Sequence, residues 1–180
     1  MPSKDKTFQQ LFQNMADAAI LFNEAGSLIT CNQAALNLLG YENKAELTGL
    51  STEDISPDVQ SNGEISHSKT VEITTLAFAN GFHSFEWEYL KRDGTLFSVE
   101  VVLTPIIINN QQMLHAIWRD ISERLAFEKK ILTSEKKLQA LYDSSMDAWL
   151  LMDTSGFIDC NKAALKLFGC EDKEQLCSMH

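Results

Sequence analysis

The sequence predicts an α+β fold: helices combined with an antiparallel sheet that has one packed face, followed by a long exit helix. Three observations carry this. A stretch near the start of the 180-residue chain returns near its end: Asp17, Gly26, Cys31, Asn32, Ala34, Ala35 and Gly40 recur as Asp147, Gly156, Cys160, Asn161, Ala163, Ala164 and Gly169. The repeat distance is too long for a solenoid unit and suits a whole domain with its linker. Between the copies lie runs of two-residue alternation separated by short turn sequences, the pattern of hairpin-linked strands. Each copy also carries an Asn just before an Ala/Leu stretch and a Gly just after it, the signals of a helix start and stop.

The elements follow in order. Residues 7–14 place Phe8, Leu11, Phe12 and Met15 at helical spacing. The apolar run 18–22 and the run 27–31 flank Asn23-Glu24-Ala25-Gly26, so they read as a hairpin. Asn32 caps the helix that Gly40 ends. Residues 48–63 are polar, with Pro57, Asn62 and Gly63, and read as loop and short helical turns. Residues 68–80 form a helix despite the β-branched Val71, Ile73, Thr74 and Thr75, and Gly81 stops it. Phe85, Trp87 and Tyr89 alternate with Glu86 and Glu88, which puts the three rings on one face of a strand. Lys91-Arg92-Asp93-Gly94 turns the chain into a long strand, 96–108, with Phe97, Val99, Val101 and Leu103 on one face. Asn109-Asn110 turns it again into a strand over 113–121, with Leu114, Ala116 and Trp118 on one side. Three hairpin-linked strands make an antiparallel sheet. Asp120 then opens a helix, with Glu123 three residues on in the manner of a capping box. Within that helix Phe127, Ile131, Leu138 and Leu141 fit an a/d seam if Ser134 takes the remaining place.

Composition excludes several functions. A net charge of −10 argues against nucleic acid or an anionic membrane surface as a partner, since both want basic patches. No apolar run reaches the ~18 residues of a membrane span, and the N-terminus lacks the apolar core of a secretion signal. Cys31, Cys160, Cys170 and Cys177 form no C-x-x-C pair, which suits reduced thiols and a cytoplasmic setting. The four histidines show no metal-ligand spacing, so no metal is expected.

In this order the elements resemble the PAS sensory domain with its PAC segment. Asn32-Gln33-Ala34-Ala35 is similar to the family's Asn-x-Ala-Ala at the first core helix. Phe85-Glu86-Trp87, Arg92-Asp93-Gly94 and Val99-Glu100-Val101 are similar to its central hairpin, and Arg119-Asp120-Ile121-Ser122-Glu123-Arg124 is close to its Asp-Ile-Thr-Glu-Arg signature. The likeness covers 7–124 and returns over 141–180. It implies a five-stranded antiparallel sheet with helices on one face enclosing a small pocket. It also implies tandem use ahead of an output domain, commonly a bacterial histidine kinase or diguanylate cyclase.

The expected organisation is a first PAS/PAC domain over 1–122, a linker helix over 123–140, and the N-terminal part of a second PAS domain over 141–180, within a longer modular protein. The chain carries no phosphoacceptor box, nucleotide-binding glycine motif or Gly-Gly-Asp-Glu-Phe, so it is not expected to be an enzyme itself. The expected function is a cytoplasmic signal-sensing and relay module, acting as a homodimer that passes conformational change to the downstream domain. The alternatives are a passive dimerisation spacer with a filled core, or a haem- or flavin-dependent sensor. Candidate pocket residues are Leu36, Leu76, Trp87, Tyr89, Val99, Val101, Leu114, Ala116 and Trp118. Asp120, Ile121 and Glu123 are the candidate relay residues. No cofactor is expected, although an unknown small molecule would have a place between sheet and helices. The flavin-photoreceptor branch needs a Cys in the helical middle, and residues 49–58 have none. The haem branch uses a pocket His, but His67, His83 and His115 are expected at the surface.

Overall fold

The computed structural model describes residues 4–154 and 156–177; the side chains of residues 4–8, Phe8 among them, and of Cys177 lie outside the described residues. The chain divides into two compact units, Met1–Glu123 and Arg124–His180.

In the first unit, α1 (Lys4–Gln13) precedes β1 (Ala18–Asn23), β2 (Leu28–Cys31), α2 (Gln33–Leu39), α3 (Lys44–Leu47), α4 (Ser66–Asn80), β3 (His83–Leu90), β4 (Leu96–Ile108) and β5 (Gln111–Asp120). The five strands form one antiparallel sheet in the order β2-β1-β5-β4-β3, so the first hairpin is joined to the last strand. Ala18 faces Trp118 and Asn23 faces Met113 along that seam. The two meanders thus close into one sheet only when residues nearly a hundred positions apart pair, and the core forms with them.

Period two decides which residues enter the core. Trp87, Tyr89, Phe97, Val99, Val101, Leu103, Leu114, Ala116 and Trp118 all point inward and are buried. Against them pack Ile20 and Phe22 of β1, Leu36 and Leu39 of α2, Leu47 of α3, and Ile73 and Ala77 of α4. Each of the larger side chains contributes about 1.5–3 kcal/mol by leaving water.

Local chemistry sets the joins. Asn32 is wholly buried. Its Oδ1 accepts from Ala35 N (2.9 Å), capping α2, and from Ala19 N (3.0 Å), while its Nδ2 donates to Asp17 O (2.9 Å). One side chain therefore fixes the start of α2 against the start of β1. Gly40 ends α2 at φ 76, a left-handed conformation that costs glycine little. Asn109 and Asn110 both have positive φ, the two-residue loop whose twist matches the strands. At the other hairpin only Gly94 is left-handed, while Asp93 Oδ1 accepts from Thr95 N (2.8 Å).

Several boundaries differ from the sequence reading: β5 is Gln111–Asp120 rather than 113–121, α1 is Lys4–Gln13 rather than 7–14, and α5 is Ser122–Ser144 rather than 123–140. α3 was not foreseen, though Asn43 and Glu46 form its cap: Glu46 N donates to Asn43 Oδ1 (3.3 Å) and Asn43 Nδ2 to Glu46 Oε1 (2.6 Å). α4 begins two residues early, at Ser66, whose hydroxyl donates to Pro57 O (2.5 Å). β3 extends beyond its aromatic core to His83 and Leu90 because β4 is long enough to pair all of it.

In the second unit, α5 (Ser122–Ser144, whose first residues belong to the first unit) leads to β6 (Leu150–Asp153), β7 (Gly156–Cys160), α6 (Lys162–Phe168) and α7 (Lys173–Cys177). β6 and β7 form a hairpin. Asn161 repeats the Asn32 device: Oδ1 accepts from Ala164 N (2.9 Å) and Trp149 N (3.0 Å), and Nδ2 donates to Asp147 O (2.8 Å) and Tyr142 O (3.1 Å). Among the described residues, the buried apolar residues packed together here are Cys160, Ala164 and Leu176. α5 buries none of its residues.

Candidate functional site: a small cavity and a strand–helix joint

The inner face of the first unit's sheet and the middle helices enclose a cavity of about 50 Å³. Its walls are Phe22 and Gly26 of the first hairpin, Thr52, then Thr70, Ile73 and Thr74 of α4, and Phe85, Trp87, Tyr89, Val101, Leu103, Leu114 and Ala116 of the sheet. Of the expected pocket residues, Trp87, Tyr89, Val101, Leu114 and Ala116 line it. Leu36, Val99 and Trp118 are buried in the core but stand back from the cavity. Leu76 does not line it and is only half-buried. Helical periodicity turns the Thr70–Ile73–Thr74–Ala77 face inward instead. Period-two reading found the sheet's share of the lining, whereas the α4 share needed the helix phase, which a mixed β-branched stretch obscures.

Aromatic rings fill most of the space. Tyr89 stacks on Trp118 with ring centroids 3.9 Å apart and planes 13° apart. Phe85 meets Trp87 edge-on at 5.9 Å. Burial pushes the Tyr89 hydroxyl far above the usual tyrosine range, so it stays neutral. Among the described residues, Trp118 Nε1 is buried without a hydrogen-bond partner. The space left is that of one or two water molecules, well below the ~300 Å³ at which pockets for drug-sized ligands begin. A haem or flavin ring does not fit among these side chains. His83 is half-buried at the start of β3 and His67 is exposed on α4, neither lining the cavity. Among the described residues, no group of three or more His, Cys, Asp or Glu is placed to hold a metal.

A polar clip that the sequence reading missed covers the β3 side of the cavity. Trp87 Nε1 donates to Ser56 Oγ (3.0 Å), and Ser56 Oγ donates to Thr52 O (2.6 Å). Gln60 imitates a neighbouring strand: its Oε1 accepts from Glu88 N (2.8 Å) and its Nε2 donates to Glu88 O (3.3 Å) and Ser66 Oγ (2.8 Å). Leu90 N donates to Ile55 O (2.8 Å). Paired apolar spacing gives no hint of such a clip, because it depends on loop residues meeting a strand edge.

The second part of the site is the joint where β5 becomes α5. Ile121 is buried, and its N donates to Ser98 O (3.0 Å). Ser122 Oγ accepts from Ser98 N (3.2 Å) and donates to Ser98 O (3.4 Å). Asp120 Oδ1 accepts from Ser122 N (2.8 Å), a bond two residues on rather than the three of a capping box. Asp120 is the last residue of β5, one place too early for the cap, and Glu123 sits in the first turn of α5. Asp120 and Ile121, two of the three expected relay residues, thus sit at one corner of β4 and β5, the strands whose Val101, Leu103, Leu114 and Ala116 wall the cavity.

The family described as a PAS domain matches residues 17–123, and a second PAS family matches residues 136–179. The chain belongs to the PAS domain family. It is similar to sporulation kinase A of Bacillus subtilis (strain 168), 25% identical over 173 residues that cover 94% of this chain and 27% of that protein. It is also similar to sporulation kinase E of the same organism, 25% identical over 171 residues, 94% of this chain and 22% of that protein. The chain spans about a quarter of the length of these curated relatives. Among solved structures, the PAS domain from a two-component sensor histidine kinase matches with a TM-score of 0.55 and 17% identity, over 65% of this chain and 96% of that one. That likeness supports the five-stranded PAS fold. No helix among the described residues is long and apolar enough to cross a membrane.

Proposed function

We infer that this chain is a cytoplasmic signal-sensing and relay module which works as a homodimer ahead of a downstream kinase output. The first PAS unit would hold the input, and α5 would carry its change onward. The observation that supports this most is the joint. Two walls of the cavity, β4 and β5, run directly into the corner where Ser98, Asp120, Ile121 and Ser122 fasten the start of α5. A shift of β5 against β4 cannot leave those bonds as they are. A hinge between packed strands and a helix with no buried residue is the kind of element that has two arrangements to choose between. The similarity to two proteins named sporulation kinases supports a kinase as that output.

The cavity's size favours an input that is a very small molecule or a mechanical change in packing over a resident prosthetic group. A filled-core spacer uses the same rings, so the joint and not the cavity distinguishes the readings.

Asp120→Ala tests the joint. The variant is expected to keep the first unit's circular dichroism and its melting temperature within a few degrees, because one exposed hydrogen bond contributes only ~1 kcal/mol. Hydrogen exchange of the amides at 122–126 is expected to speed up. Unchanged exchange there, or loss of the fold, would contradict the role of Asp120.

A further inference from the structure

Three peptide links in the first unit place glycine directly after an amide or acid side chain: Asn62-Gly63, Asn80-Gly81 and Asp93-Gly94. Such a link is chemically labile. Glycine has no side chain to shield its own nitrogen, so that nitrogen can attack the side-chain carbonyl carbon of the residue before it. Whether it does depends on how the fold holds the two groups. Two of the three links are held. The Asn62 side chain is tied at both ends: its Oδ1 accepts from Glu64 N (3.0 Å) and its Nδ2 donates to Glu64 Oε2 (2.7 Å). Gly63 N donates to Gln60 O (2.8 Å), so the attacking atom is engaged as well. At the third link, Asp93 Oδ1 accepts from Thr95 N (2.8 Å) and Gly94 N donates to Lys91 O (2.9 Å). The bond from the Thr95 backbone also holds the Asp93 carboxyl below the usual carboxylate range, and a carboxylate resists a nucleophile.

Asn80 stands otherwise. It is the last residue of α4, it is exposed, and among the described residues its side-chain amide makes no hydrogen bond. Gly40 fastens the end of α2 by donating to Leu36 O (2.9 Å). Gly81 has the same left-handed conformation, φ 81, yet among the described residues its N makes no such bond. No atom lies within 4 Å of where a Gly81 Cβ would be, so the link has room to turn. An unfastened last turn frays, which releases ψ of Asn80 from its helical value. We propose that Asn80-Gly81 is a self-modification site, where Asn80 loses its side-chain amide while Asn62 and Asp93 are kept as they are. Gly81 N attacks Asn80 Cγ. The N–Cγ bond forms, the Cγ–Nδ2 bond breaks, and ammonia leaves with the proton that Gly81 N gives up. Water then opens the cyclic imide. Cleavage of the bond to Cγ leaves aspartate, and cleavage of the original peptide bond leaves isoaspartate. Either product puts a carboxylate at the carbonyl end of α4, where the helix dipole is negative and the last turn has no basic residue. Isoaspartate also adds one main-chain carbon between α4 and β3. Those two elements carry Ile73 and Thr74 on one wall of the cavity, and Phe85 and Trp87 on another.

Peptide mapping that separates asparagine, aspartate and isoaspartate tests this on the full chain, incubated in mildly alkaline buffer both folded and unfolded in urea. In urea, Asn62 and Asn80 are expected to convert within about threefold of one another, because both precede glycine and neither is held. In the folded chain, Asn80 is expected to convert roughly tenfold faster than Asn62, whose reaction must first break the Glu64 and Gln60 bonds. Isoaspartate is expected among the products at position 80. Asn62 converting as fast as Asn80 in the folded chain would overturn the proposal. So would an Asn80 that stays intact when folded while the urea sample reacts. Aspartate without isoaspartate would overturn it too, because direct hydrolysis of the amide, with no attack by Gly81 N, gives aspartate alone. Gly81→Ala checks the route in urea, where strain at a left-handed position plays no part. A methyl group beside the attacking nitrogen is expected to slow Asn80 roughly tenfold and leave Asn62 unchanged, and an unaltered Asn80 rate would exclude the attack.

Discussion

Asn32 concentrates more of the fold in one side chain than any apolar residue does. It is buried, donates once and accepts twice, and each partner lies on the β1–α2 corner. Removing it leaves two backbone amides and one carbonyl without partners in the core. Asn32→Ala is expected to destabilise the first unit by about 3 kcal/mol, read as a lower urea midpoint; a loss below about 1 kcal/mol would mean that water replaces the amide. His115 shows a second residue effect. It sits half-buried on the outer face of β5 in a groove with Phe12, Leu21, Ile106 and Ile108, and burial lowers its pKa. The neutral ring is the folded form, so its contribution is complete above the unfolded value of ~6.5 and is lost as pH falls from there through the lower folded value. The urea midpoint is therefore expected to drop between pH 7.5 and 5, and His115→Gln to flatten that drop. Equal slopes in both proteins would refute the assignment. Asn32 was legible from its place before Ala-Ala. The groove around His115 was not, because a third of its lining, Gln9, Phe12 and Gln13, comes from α1.

Elements with a simple period were legible nearly to the residue. β4 runs from Leu96 to Ile108 as its alternation requires, and α2 lies between the two punctuation residues that announce it. What the sequence hid depends on contacts rather than on periods. α3 is a four-residue helix held by its own Asn43 cap, and the Gln60 clip mimics a strand with a side chain. The phase of α4, which decides whether Ile73 or Leu76 meets the cavity, is blurred by threonines on both faces. The Asp120 bond differs by one residue because β5 holds Asp120 in the sheet up to its last pair with Val99. The β4–β5 hairpin offers an element-scale check. Asn110 has φ 62, a position where glycine carries no strain. Asn110→Gly is expected to raise stability by about 0.5 kcal/mol or leave it level, measured by thermal unfolding; a loss above 1 kcal/mol would show that the asparagine side chain holds the turn.

At the scale of the molecule, the sheet closes a cavity that its own rings nearly fill, and the joint that starts α5 lies where β5 ends beside the start of β4. α5 then leaves Phe127, Ile131, Leu138 and Leu141 exposed. On the relay proposed above, a sensor built this way would need no deep pocket: one methyl group more or less beside Ile73 would change how β4 and β5 sit, and the joint would report it. The most direct measurement is hydrogen exchange along 122–130 in four proteins: the natural chain, Ile73→Val, Asp120→Ala and the double variant. The account predicts that Ile73→Val, remote from α5, alters exchange in those amides, and that it no longer does so once Asp120 is alanine. An α5 whose exchange ignores Ile73→Val, or a response that survives the loss of Asp120, would contradict it.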